Sequence, residues 1–362
     1  MRLVAESGLW STGMLSTPTP LLAVLEVSGA VLSWTVDDKT AAATITFTDL
    51  ERADWLWRVL GESGHAAVAA AVVGRSPRDS QSIDVGGVDV SPGSLDQLRR
   101  LALGHWLRRW WPASHRDGIV ALDGALVDAE IAVITTAAQD FFADDTFDSD
   151  ASQLLAPHYA DLAALARSGD PRVVELVHAA AALTDDDIAA AEPAQLTPRR
   201  DDYALAAGAD RTPSTAGAVA QGTDSLAWAA VPPGVFDAAE DTIDWLVVAD
   251  GQNINALVGV ELSGGGSPSD IAVRLVSGPL SGAGTLDGRG RARFAVLDAA
   301  QQPLSESAAW NHDWRATTVA VGAEIEEPPQ TRQRVRDFAR ARLAQPADDA
   351  FLAEILAAES DY

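Results

Sequence analysis

Cysteine is absent from the 362 residues, and lysine occurs once, at Lys39. Without cysteine there is no disulfide, thiolate nucleophile, iron–sulfur cluster or cysteine-type zinc site. The remaining cations are arginines, and with the abundant alanine, aspartate and valine this reflects high-GC codon use rather than function. No apolar run is long enough to span a bilayer. The start, MRLVAESGLW, lacks the sustained apolar stretch of a secretory signal, so a cytoplasmic location is expected. Positive charge is scarce: 26 Lys and Arg against 52 Asp and Glu leave a net charge of −26. That balance argues against nucleic-acid and anionic-membrane binding, and it suits a basic protein partner.

The usual chemical fingerprints are missing as well. There is no G-x-x-x-x-G-K-[ST] loop to cradle phosphate and no G-x-S-x-G nucleophile elbow. Gly282, Gly284 and Gly288 come nearest a dinucleotide-binding turn, but the last spacing is one residue too long and strands flank it. The six histidines, His65, His105, His115, His158, His178 and His312, are scattered, and none has a second ligand at helical spacing. Aligning Asp148, Asp150 and Ser152 to a calcium loop puts Gln153 where glycine is required and Tyr159 where the bidentate glutamate belongs. That segment reads as a solvated acidic loop. Neither a metal nor a cofactor is expected.

What is present centres on 94–142, which holds three of the 11 tryptophans and the densest arginine clusters. Ser94 and Gln97 stand at capping-box spacing, and Leu95, Leu98, Leu101, Trp106 and Trp110 recur at three- and four-residue steps. The pattern predicts an amphipathic helix that stops at Pro112. A second helix is expected from Asp117 or Gly118, with Leu122, Leu126, Val133, Ala137 and Phe141 on its stripe. Val127, Ile131 and Ile134 widen its apolar face until the helix must be largely buried. Asp128 and Glu130 then need partners, and Arg108 or Arg109 is nearest in sequence.

The expected organisation is multidomain: a small α+β domain over 1–92, a helical domain over 93–192, a linker over 193–224, an all-β domain over 225–326 and a helical tail over 327–362. In the first part, strands are expected over 21–27, 31–36, 44–48 and 66–73, a helix over 50–60 and a hairpin over 83–90. A further short helix is expected from Thr184 through Glu192. Seven short strands expected over 226–231, 242–249, 254–262, 271–276, 284–287, 292–297 and 314–322 fit an immunoglobulin-like β-sandwich. Arg289, Arg291 and Arg293 alternate, so they share one face of a sheet. The segments LALGHWLRRWWPAS and LDGALVDAEIAV resemble uncharacterised actinobacterial proteins, a resemblance that implies no activity.

The leading functional expectation is a non-catalytic cytoplasmic interaction or scaffold protein within a bacterial multi-protein system. Trp106, Arg108, Arg109, Trp110, Trp111, Trp310, His312 and Trp314 are its candidate partner contacts, with core packing as the plainer use of the indoles. The alternative is a hydrolase or transferase drawing acid–base groups from His105, His115, Asp123, Asp128 and Glu130. That alternative requires those groups to converge on an open pocket. A weaker reading is an acidic module that mimics nucleic acid.

Overall fold

The computed structural model describes residues 1–14, 16–38, 40–78, 82–139, 141–142, 151–184, 217–250 and 253–360. The acidic loop around Asp148 and Asp150, the short helix expected through Glu192 and the expected linker up to residue 216 lie outside them. The chain is multidomain, with helices and several antiparallel sheets. It divides into two compact units, each discontinuous in sequence. Met1–Arg109, Leu122–Ala194 and Ala341–Tyr362 form the first, and Trp110–Ala121 with Gln195–Arg340 the second.

The first unit opens with β1 (Arg2–Glu6), β2 (Leu9–Ser11), β3 (Leu22–Val27), β4 (Ala30–Thr35) and β5 (Thr44–Phe47). With β6 (Ser82–Asp84) they make one antiparallel sheet in the order β3-β4-β5-β2-β1-β6. Period-two alternation selects its buried face: along β3, Ala23, Leu25 and Val27 are buried while Val24 and Glu26 are exposed. Gly29 closes the β3–β4 turn at φ 71°, where a Cβ would stand 2.1 Å from the Asp49 carbonyl oxygen. The hairpin expected over 83–90 does not form, because Ile83 pairs with Leu3 of β1. The helix expected over 50–60 is replaced by 3-10 turns at Leu50–Arg52 and Asp54–Leu56, followed by α1 (Trp57–Val72). Residues 66–72 of the expected 66–73 strand lie in α1, since the helix propensity of the alanines outweighs the β preference of the valines.

Helix α2 (Asp96–Trp110) stops two residues short of Pro112, as its sequence predicts. The Ser94 hydroxyl donates to the Ser91 carbonyl at 2.7 Å instead of capping the helix. Helix α3 (Gly124–Gln139) starts later than expected, with the Asp123 carboxylate accepting from the Leu126 N–H at 3.1 Å. Helices α4 (Ala151–Leu155), α5 (Tyr159–Arg167) and α6 (Pro171–Ala181) follow. Asp170 caps α6 by accepting from the Arg172 N–H at 2.9 Å, with Pro171 in the first turn. Leu98, Leu101, Trp106, Leu126 and Ile131 are fully buried.

The second unit carries β7 (Ala218–Asp224), β8 (Ile243–Asp250), β9 (Asn253–Val260), β10 (Ala272–Ser277), β11 (Leu280–Thr285), β12 (Arg291–Ala295) and β13 (Thr317–Val321). They form an antiparallel four-stranded sheet, β12-β9-β8-β7, and a three-stranded one, β11-β10-β13. An immunoglobulin order would set the second strand beside the fifth. Here the second, β8, lies between the first and the third, so that expected arrangement is corrected. The strand expected over 226–231 is a 3-10 turn at Trp228–Ala230, and the end of the expected linker is β7 itself. Arg291 and Arg293 do share the exposed face of β12, whereas Arg289 stands in the preceding turn.

Helices α7 (Glu306–Asn311), α8 (Pro329–Ala344) and α9 (Leu352–Ser360) complete the described chain. Phe351, just before α9, is 0% exposed in the first unit. A Cβ on Gly104 of α2 would stand 2.5 Å from its ring, so the glycine makes the notch that the phenylalanine fills. No helix among the described residues is long and apolar enough to cross a membrane.

Candidate functional site

The α2–α3 pair carries three of the five acid–base candidates, with a fourth, Asp123, just before α3, and each is held differently. Asp123 is spent on the α3 cap. Asp128, on the apolar cylinder of α3, is 3% exposed. Its Oδ2 lies 3.0 Å from His158 Nε2, and its Oδ1 lies 3.0 Å from Arg108 Nε without hydrogen-bond alignment. Glu130 pairs with Arg100, and its second oxygen accepts from the Leu352 N–H at 2.7 Å, capping α9. Burial pushes the Glu130 carboxyl above its ordinary value, while the Leu352 N–H and Arg100 pull it down. Burial lowers the pKa of His105, with Arg108 adding to the effect and Asp128 opposing it.

His115 belongs to the second unit, where its side chain is exposed. Its backbone N–H donates to Asp237 Oδ2 at 2.7 Å. Asp237 is 2% exposed and also accepts from Ser114 Oγ at 2.6 Å and from the Ala239 N–H at 2.9 Å. Two of these three donors, from Ser114 and His115, fix the 110–121 segment in this unit. Arg336 and Arg340 of α8 add ion pairs to Asp117 at 3.3 and 3.0 Å. Within the first unit Asp123, Asp128 and Glu130 are thus each engaged by a different partner, and His115 belongs to the second unit.

The partner-contact candidates are also dispersed. Trp106 is 2% exposed and donates from Nε1 to the Pro20 carbonyl at 2.9 Å, so its indole is core. Arg108 is exposed over about half its side chain, and Arg109 and Trp110 are half-buried. Trp111 donates to the Val120 carbonyl at 2.8 Å. Trp310 is 55% exposed, whereas Trp314 is buried and its ring meets His312 edge-on at 4.8 Å.

His312 forms the pairing nearest to a nucleophile and base, with Nε2 2.9 Å from Ser277 Oγ. Thr317 Oγ1 lies 2.9 Å from the same hydroxyl. Ser277 is 0% exposed, so no substrate reaches its oxygen in this arrangement. The trio satisfies buried hydroxyls at the end of β10.

Sequence reasoning passed over the arginines of α8. Arg332, Arg336 and Arg342 are buried, although the helix reads as polar. Glu240 binds both Arg332 and Arg336, and these bonds overcome its burial to hold it at about 2. The sequence signal was available in the spacing: 332 and 336 lie one turn apart, on one face.

Among the described residues, no group of three or more His, Asp and Glu side chains could hold a metal ion. One groove stands out in the first unit. It encloses about 670 Å³ between the start of α2, the second half of α3 and the turn before α9. Compared with known proteins, the chain matches no protein-family model, no curated protein and no solved structure.

Proposed function

We propose that this is a non-catalytic interaction or scaffold protein, working in the bacterial cytoplasm by contact with other proteins. One observation carries the reading: the ionisable groups best suited to acid–base work are consumed by the fold. Asp123 caps a helix, Asp128 and Glu130 are paired inside the first unit, and His115 lies in the other unit. The runner-up, a hydrolase or transferase built on those residues, would have to work with carboxylates that the first unit already uses for capping and ion pairing. Each sheet of the second unit buries one face, which supports a two-layer β-sandwich as the fold of that half.

Affinity capture of the tagged chain from its native host tests the proposal. A stoichiometric protein partner is the expected result, with light scattering of the same preparation giving the oligomeric state. A partner-free chain across growth conditions overturns it.

A further inference from the structure

We infer that the groove bounded by α2, α3 and the turn before α9 docks a basic, amphipathic segment of a partner protein. The inference rests on the interaction reading and gives the partner its chemistry. The groove's 670 Å³ lies within the range of ligand-binding pockets. Val133, Ile134 and Ala137 of α3 supply an apolar wall.

The charges around that wall divide into used and unused. Arg100 is paired with Glu130, and Asp349 with Arg342 at 3.0 Å. Arg99 is also engaged. Asp96 and Asp348 are exposed, and among the described residues neither has an ion-pair partner. The lining carries three carboxylates, Asp96, Asp348 and Asp349, against two guanidiniums, Arg99 and Arg100, beside an apolar surface on a chain of net charge −26. An anionic ligand meets repulsion there. The complementary occupant carries guanidinium or ammonium groups with an apolar side chain between them, as does a helix presenting Arg and Leu one turn apart.

The test uses the full-length chain and a fluorescein-labelled, amidated peptide with Arg and Leu at i and i+4, followed by anisotropy. Saturable binding is expected. The pair Asp96→Asn and Asp348→Asn should weaken it about tenfold, the sum of two exposed charge contacts. Val133→Ser should weaken it as well. A control pair, Glu26→Gln and Asp244→Asn, removes the same net charge at exposed positions elsewhere and should leave affinity within about twofold. Equal losses in both pairs would reveal diffuse attraction to an acidic chain and overturn the inference. So would an absence of saturable binding, or spermidine binding as tightly as the peptide. Failure here is separable from failure of the interaction reading. If the Asp96→Asn, Asp348→Asn chain still captures its native partner, the groove loses its role and the reading stands. If no native partner is captured, the interaction reading falls and the inference falls with it, even where the peptide binds.

Discussion

Helix α3 reads as apolar and buries two carboxylates, while helix α8 reads as polar and buries three arginines. The two cases differ in where the partner sits. The cations facing α3, Arg100 and Arg108, keep 38% and 53% of their side chains exposed. Desolvation on α3 is therefore one-sided, and the arginine retains much of its hydration. Arg342 and Glu354 are 4% and 0% exposed, so both members of that pair have left water. An ion pair buried at both ends contributes little net stability when intact, but losing one member strands the other without solvent. The arginine-rich helix should thus be the more brittle of the two.

The largest expected effect follows from that difference. Glu354→Ala removes the carboxylate held by Arg342 Nε and Nη2, and with it the acceptor of the Phe351 N–H. A loss of about 3 kcal/mol is expected, the lower end for a broken buried pair because Arg342 keeps Asp349 at 3.0 Å, read as a lower urea midpoint at unchanged slope. Combining Arg342→Met with Glu354→Leu should recover part of that loss, because it removes both buried charges, although the Phe351 N–H still loses its acceptor and Asp349 its partner. If Glu354→Ala costs no more than the Arg100 change below, the contrast between the helices collapses.

Packing sharpens the α3 side. A Cβ on Gly104 would stand 2.8 Å from Ile131 of α3 as well as 2.5 Å from the Phe351 ring. Gly104→Ala should cost about 1–3 kcal/mol by urea titration, the usual range for overpacking. Phe351→Leu in the same chain should then cost less than it does alone, since contacting residues couple. Simple additivity would show that the notch is looser than its geometry indicates.

The α3 charges should be milder. Arg100→Ala leaves Glu130 with its Leu352 N–H, and a carboxyl already pushed upward by burial can take a proton. The expected loss is about 1–2 kcal/mol. Glu130→Gln keeps an acceptor for Leu352 and removes the burial penalty on charge, so it should stay within about 1 kcal/mol of the parent. The sign also fixes a pH dependence. Because the folded pKa lies above the unfolded one, this group stabilises the fold as pH falls through that window. Glu130→Gln should abolish that increment, and an unchanged profile would remove Glu130 as its source.

These particulars show how far the sequence can be read. The α2 boundary is legible because proline acts locally. The strand pairing of the second unit is not, since turn residues locate strands without choosing their neighbours. The start of α3 was misplaced because Asp117 serves α8 arginines and the loop beside it is held by Asp237, over a hundred residues away. Asp128 and Glu130 need partners as expected, and Arg108 meets Asp128, but Glu130 takes Arg100 from two turns earlier and His158 comes from beyond the helix. The buried arginines of α8 were hidden because hydropathy weighs a guanidinium as surface whatever faces it.

The smallest effect comes from His105, on the α2 face near the Asp128–Arg108 pair. Burial first, and Arg108 second, lower its pKa beneath the ordinary 6.5, with Asp128 pulling upward. The unfolded chain therefore takes up the proton before the folded one does. Stability from this group is complete above about pH 6.5 and is lost as pH falls toward the lowered folded value. That sign is opposite to the one for Glu130, so the two are told apart by the direction of the change. His105→Gln should flatten the difference in unfolding free energy between about pH 8 and 5 relative to the parent, whereas Glu130→Gln removes an increment of the opposite sign. Were His105→Gln to leave the upper limb intact, the imidazole would be in water-like surroundings. The α2–α3 seam would then be open to solvent, and its one-sided desolvation would no longer separate it from the Arg342–Glu354 pair.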